Sequence, residues 1–326
     1  MWSRIASVLA ACVPLFCLIA SAQEPSLQHR YPLLRGQSVR PEILGNRLTV
    51  LCSASAHSRN FSTPSQDGEP LETLSIQADD GHLRMRYESL VDGRLVLEVT
   101  DRRQVRLQSE FAGKQVAYEQ AAEGPVRLEV RQQDRVETRT ASGLWQLLLL
   151  EKLAQTELLP VLEQLRPGWR LAEQLRAVEQ ALVTAAPSGA LADRDKWSHW
   201  LDQLASPDFR VRVLAERNLR DAGVVALSWL ERQDISALDP EQRDHVLTLR
   251  EDLLPTRADS PELVAAWLVD DKRVWLGLLN REDVEIRRVA QRQLEALCQR
   301  KIAFDPQADA SVRRQQVAKL EARLGR

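Results

Sequence analysis

A pattern of some twenty residues, written twice in the C-terminal half, limits what this chain can fold into more than any other feature. Trp200-Leu201-x-x-Leu204-x-x-x-Asp208-Phe209-x-Val211-Arg212-x-x-Ala215-x-Arg217-x-Leu219 returns as Trp275-Leu276-x-x-Leu279-x-x-x-Asp283-Val284-x-Ile286-Arg287-x-x-Ala290-x-Arg292-x-Leu294. The apolar positions recur at helical spacing, and repeats of that kind stack so that each unit buries a face only its neighbours can complete. Three helix starts in the region are marked. Ser206-Pro207-Asp208, Asp239-Pro240-Glu241 and Ser260-Pro261-Glu262 each supply a cap, a proline at the first helical position and an acid near the positive helix end. Gly223 supplies the stop for the helix that opens at Pro207.

Within the pattern, Asp208-x-x-Val211-Arg212-x-x-Ala215 and Asp283-x-x-Ile286-Arg287-x-x-Ala290 resemble the second helix of HEAT repeats. The resemblance implies structural roles for these residues. Asp208, Arg212, Asp283 and Arg287 would bond along the stack, while Val211, Ala215, Ile286 and Ala290 would pack between helices. It covers roughly 193–324. The copies lie almost two HEAT periods of about forty residues apart, so a degenerate unit is expected between them, Glu241 to Asp252 with Pro261 to Asp270. Phe304-Asp305-Pro306 then interrupts the chain before a last helix from about Ser311, with Val312, Val317 and Leu320 inward.

The N-terminal half has a different period. From about Leu48 to Ala141 apolar and polar residues alternate, as in strands that bury one face. Leu74, Ile76 and Ala78 open the series; Leu83, Met85 and Tyr87, then Leu95, Leu97 and Val99, continue it. Further on come Val105 and Leu107, Val116 and Tyr118, Val126, Leu128 and Val130, and last Val136, Thr138 and Thr140. Asp80-Gly81 and Asp92-Gly93 are hairpin turns, which makes neighbouring strands antiparallel. The spacing predicts a meander of about seven strands with one apolar and one charged face. The charged face is assigned Arg84, Arg86, Arg106, Arg127, Arg131 and Arg139 with Glu88, Glu98, Glu110, Glu129 and Glu137. Mixed signs of this kind form weak surface pairs rather than a nucleic-acid surface, which would show one sign and stacking aromatics. From Leu144 the period turns helical, broken at Pro160 and Pro167-Gly168, and these helices are expected to cover the apolar face up to about Ala185.

Met1 to Ala22 has one charge at Arg4, an apolar stretch and Ala20-Ser21-Ala22 ahead of polar residues, the composition of a cleaved signal peptide. The stretch is too short to span a bilayer, and no later one reaches about eighteen apolar residues. Leu9-Ala10-Ala11-Cys12 offers a competing reading, lipidation at Cys12, but cleavage there would leave an oily new terminus. The mature part keeps Cys52 and Cys298, expected as two core thiols, with a bridge between the halves as the alternative.

The expected fold class is therefore α+β: an N-terminal antiparallel β-meander covered by helices, followed by an all-α HEAT-like array. The expected organisation is a signal peptide over 1–22, a linker over 23–45, a β-rich α+β domain over 46–185, a linker over 186–192 and a HEAT-like α-helical domain over 193–326. The layout is similar to that of exported bacterial proteins of unassigned role.

Chemistry is sparse. Of the five histidines, His29, His57, His82, His199 and His245, no pair has the i, i+4 spacing of a helical metal site, and no nucleophile elbow or phosphate-cradling glycine loop occurs. No catalytic, cofactor-binding or metal residue is assigned, and no cofactor is expected. A net charge of -2 gives no global field for nucleic acid or an anionic membrane. The expectation is an exported, periplasmic or extracellular, non-catalytic scaffold of the bacterial envelope whose array holds another envelope protein. The alternative is a carrier with a lipid-like ligand between the sheet and its covering helices.

Overall fold

A computed structural model of the chain describes residues 39–324 apart from 53–57, 64–70, 80, 90–92, 102, 167, 187–191, 232 and 254–256. The expected signal peptide, Cys12, His29, His57 and most of the 186–192 linker lie outside the described residues, as does the side chain of Cys52.

An N-terminal hairpin, β1 (Val39–Leu44) and β2 (Arg47–Cys52), precedes an antiparallel sheet of eight strands in which every strand lies beside its neighbours in sequence. The sheet runs through β3 (Arg59–Thr63), β4 (Glu72–Asp79), β5 (His82–Ser89), β6 (Gly93–Thr100), β7 (Gln104–Phe111), β8 (Lys114–Gln120), β9 (Val126–Gln132) and β10 (Arg135–Ala141). The meander is thus one strand longer than its alternation predicts, since β3 reads Arg-Asn-Phe-Ser-Thr and carries little apolar signal. β1 occupies part of the expected linker 23–45. Pro41 disguises it, because a proline is tolerated only where its missing N–H is not needed by a second neighbour. The hairpin turns behave as read: Gly81 and Gly93 take φ of 81° and 93°, and a Cβ on Gly93 would also run into the Glu110 carbonyl.

Register sorts the two faces. On the outer face Arg84, Glu98, Arg106, Glu119 and Arg127 stand opposite one another across five consecutive strands. Direct pairs include Arg84 to Glu98 at 3.1 Å and Arg106 to Glu119 at 2.9 Å, on exposed side chains. On the inner face Ile76, Met85, Leu97, Leu107, Tyr118 and Leu128 form an unbroken buried row. The last strand departs from the expected face assignment. Glu137 and Arg139 pair with Val130 and Leu128, on the inner side, and Val136 is left exposed on the outer one. Arg139 reaches Glu151 on the helical layer at 3.0 Å, so a charged side chain is satisfied there at the sheet's edge.

Eleven α-helices follow among the described residues. α1 (Leu144–Leu150) and the turn ahead of α2 (Leu159–Leu165) lie against the sheet, α2 meets β1, and α3 (Leu171–Ala185) packs on α1 and α8 within the same core. Pro160 does not break the run as expected. A π-type turn over Ala154–Leu158, in which the Leu159 N–H bonds the Ala154 carbonyl five residues back, precedes it and widens the helix where the proline ring would otherwise meet the carbonyl of the preceding turn. Next come α4 (Ala192–Gln203), α5 (Phe209–Asp221), α6 (Val224–Glu231), α7 (Pro240–Asp252), α8 (Pro261–Leu268), α9 (Lys272–Leu278), α10 (Val284–Cys298) and α11 (Ala310–Leu324). In α11 Val317 and Leu320 are buried as expected, but Val312 is exposed, a turn ahead of where the helix meets the core.

The helices divide between two cores, and the chain crosses between them twice. One apolar core joins the inner face of the sheet and α1–α3 to α8–α11, through residues such as Val264, Trp267, Val274, Trp275 and Leu294. A second, smaller core belongs to α4–α7, with Trp197 against Trp229 at 5.9 Å between ring centres and Leu201, Leu219, Val246 and Leu249 around them. The chain passes from the first core to the second across the 186–192 linker and returns to the first between α7 and α8. α6 packs on α8, from one core to the other.

Candidate functional site

The eight residues of the duplicated motif take equivalent positions. Asp208 and Asp283 cap α5 and α10, accepting from the N–H two residues on at 2.8 and 2.7 Å. Arg212 and Arg287 each turn back to the carbonyl six residues earlier, Ser206 at 2.7 Å and Arg281 at 2.6 Å. Each also reaches forward, Arg212 to Glu241 of α7 at 3.0 Å and Arg287 to the Pro306 carbonyl at 2.7 Å. Ala215 and Ala290 are fully buried, which lets the paired helices approach; Val211 and Ile286 are half-buried beside them. The two arginines thus bind each helix pair to the segment that follows.

The copies differ on their outer faces. In α5, Phe209 is 68 % exposed, Leu214 56 % and Val213 46 %. The matching positions of α10 are Val284, Val289 and Arg288; all are half-buried, and Val289 packs on the main core. α10 packs against α3, which also sends Glu179 to Arg281 at 2.7 Å. The pair α4–α5 follows the 186–192 linker, and the apolar side chains on the outer face of α5 are exposed.

A second feature was hidden from sequence reasoning: a hydrogen-bonded hub where the N-terminal hairpin, α1 and the start of α8 meet. Gly45 and Asn46, with φ of 60° and 65°, form the two-residue turn between β1 and β2. Asp259 accepts from the N–H groups of both, at 2.7 and 2.8 Å, and from Trp145 Nε1 at 2.9 Å. Asn46 caps α1 from outside, its Oδ1 accepting from the Trp145 N–H and its carbonyl from the Leu144 N–H, each at 2.8 Å. The residue ahead of α1 is Gly143, where any Cβ would collide with Asn46. Gln146 of α1 donates to Asp271, the cap of α9. Burial pushes the Asp259 carboxyl up to about 6, although its three N–H donors pull the other way. The Gly-Asn dipeptide was the one local signal available.

Beside the hub lies a cleft of about 640 Å³ between one end of the sheet and α6–α9. Arg47, Arg103, Arg250 and Arg273 line it from four elements, with Asp101, Glu123 and Glu231, over an apolar wall that includes Leu44, Trp267 and Leu268. Buried Gln120 organises its sheet side: its Oε1 accepts from the Leu48 N–H at 2.9 Å, and its Nε2 donates to the carbonyls of Leu48 and Arg103 at 3.0 and 2.9 Å.

The described histidines stand apart. His82 and His199 are exposed, and His245 pairs with Glu216 at 3.0 Å. Among the described residues no three His, Cys, Asp or Glu side chains gather as a metal-holding group, and no helix is long and apolar enough to cross a membrane. Cys298 is a free, half-buried thiol. No known protein family matches this sequence, and no curated protein or solved structure is significantly similar to it.

Proposed function

We propose that the protein is an exported, non-catalytic interaction protein of the bacterial envelope, and that its helical half, a short HEAT-like array, holds another envelope protein along the outer face of α5. The observation that carries this reading is the contrast between the copies: Phe209, Val213 and Leu214 are exposed, whereas in α10 Val284 and Val289 are half-buried and the third position is the charged Arg288. Exposed large apolar side chains clustered on one helix face mark interaction surfaces more often than scattered ones do. Arg210 and Arg217 stand between Val213 and Leu214 on this face, and Arg212 lies over the Phe209 ring at 5.7 Å, so an acidic, apolar segment complements it.

The carrier reading has less support. Leu144, Leu147, Leu148, Leu158 and Leu162, in the layer that covers the sheet, are themselves fully buried, as in a packed core.

Cross-linking of the full chain in its host envelope, followed by mass spectrometry, tests the proposal. A single protein joined to wild type and lost from Phe209→Ser/Leu214→Ser, but kept by Arg84→Gln on the sheet face, is the expected result. A partner retained by the double variant would move the interface elsewhere.

A further inference from the structure

We propose that the cleft between the end of the sheet and α6–α9 binds a small amphipathic monoanion, its acidic head held by Arg103 and Arg273 and its apolar body against the wall formed by Trp267 and Leu268. The volume of about 640 Å³ is that of a small-molecule site, and an apolar lining with a few convergent charges is the usual character of one.

The charges divide into two sets. Arg47 and Arg250 are tied into the walls. Arg47 donates to the Gly124 carbonyl at 3.0 Å and to that of Ala121. Arg250 donates to the Leu230 carbonyl at 2.7 Å and feels the charges of Glu123 and Glu231. Arg103 and Arg273 are different: among the described residues, no hydrogen bond or ion pair holds either guanidinium. The arginines of the sheet's outer face pair with glutamates across or along the strands, and other arginines without such a partner among the described residues, such as Arg176, Arg210 and Arg292, stand on exposed helix faces, whereas these two line a concave site.

Their positions are nonetheless fixed. Gln120, 3 % exposed, holds the Arg103 carbonyl, and the Arg273 N–H bonds the cap residue Asp271 at 2.8 Å, so both side chains start from an ordered backbone. A ligand head would meet two free fork-shaped donors from opposite walls. Across the lining, four arginines face the three acids Asp101, Glu123 and Glu231, which leaves one net positive charge. That surplus of one favours a single negative charge on the ligand and penalises a dianion. A carboxylate or sulfonate on an apolar body fits; inorganic phosphate does not.

The test uses the full mature chain and 8-anilinonaphthalene-1-sulfonate, an aryl monoanion whose fluorescence rises on burial. Saturable binding at one site is expected, displaced by decanoate and not by inorganic phosphate. Arg103→Gln and Arg273→Gln, both at accessible positions and checked by thermal melting, should each weaken it about tenfold, the loss of one charge-assisted contact. Arg84→Gln should leave it unchanged. Thr140→Trp, which fills the cleft from the sheet side, provides a second route to the same loss. Unsaturable binding, arginine variants that bind as wild type does, or displacement by phosphate as readily as by decanoate would each overturn the proposal.

Discussion

The two copies of the duplicated pattern share their residues and their local bonds, yet α9–α10 is built into the main core and α4–α5 into the satellite one. Trp275 is fully buried and donates to the Val269 carbonyl at 2.5 Å, whereas Trp200 is half-buried at the rim of the α4–α7 core. Arg287 is 6 % exposed; the Arg212 side chain is 17 % exposed and ends on a glutamate open to solvent. A repeat motif therefore fixes caps, helix pairing and the return bond of its arginine. What lies on the far side of the pair is fixed by the rest of the chain: a sheet and its helices for one copy, and solvent over much of α5 for the other.

Paired substitutions measure that difference. Trp275→Ala should cost about 4 kcal/mol in urea unfolding, the range for a large side chain deleted from a closed core, and Trp200→Ala only about 1–2 kcal/mol because its site opens to water. Equal costs would break the comparison. The arginines give a smaller contrast. Arg287→Ala takes the donor from three part-buried carbonyls, those of Arg281, Glu282 and Pro306, and removes a side chain that is itself buried, and should cost about 2–3 kcal/mol. Arg212→Ala frees groups that water can reach and should cost about 1 kcal/mol.

The same contrast explains what could be read from sequence. Period-two runs such as Leu83 to Tyr87 and capped starts such as Asp239-Pro240 were legible because strand faces and helix ends are set within a few residues. Asp239 and Gln242 indeed bond reciprocally, Asp239 N–H to Gln242 Oε1 at 3.2 Å and the return bond at 2.8 Å. Where tertiary surroundings decide, local pattern fails. Val136 reads as a core residue and is exposed, because β10 is an edge strand whose inner side meets Glu151 rather than leucines. Val312 fails in the same way at the free start of α11. The cleft has no local signature at all: Arg103 lines it from a sheet turn and Arg273 from the first turn of α9, elements far apart in the sequence.

The smallest effect concerns the seam that gives the α9–α10 copy its surroundings. Asp259 ties the β1–β2 turn and Trp145 to the start of α8, and its carboxyl, pushed up to about 6 from an ordinary 3.8, binds its proton more tightly in the folded chain than in the unfolded one. Its contribution is therefore largest below pH 4 and is lost as pH rises through 6, the reverse of an acid held by an ion pair. Between pH 7 and pH 5 the wild type should gain about 1 kcal/mol over the Asp259→Asn variant in urea unfolding. That variant should be less stable at every pH, because its amide turns a donor toward N–H groups that need an acceptor. A flat difference between the two would mean that the three donors hold Asp259 ionised throughout, which would make the seam a permanent charged clamp. Hydrogen exchange at pH 5 and pH 7 would then separate the copies: loosening with rising pH belongs to α8 and the β1–β2 turn, and amides of α5, in the other core, should not follow it.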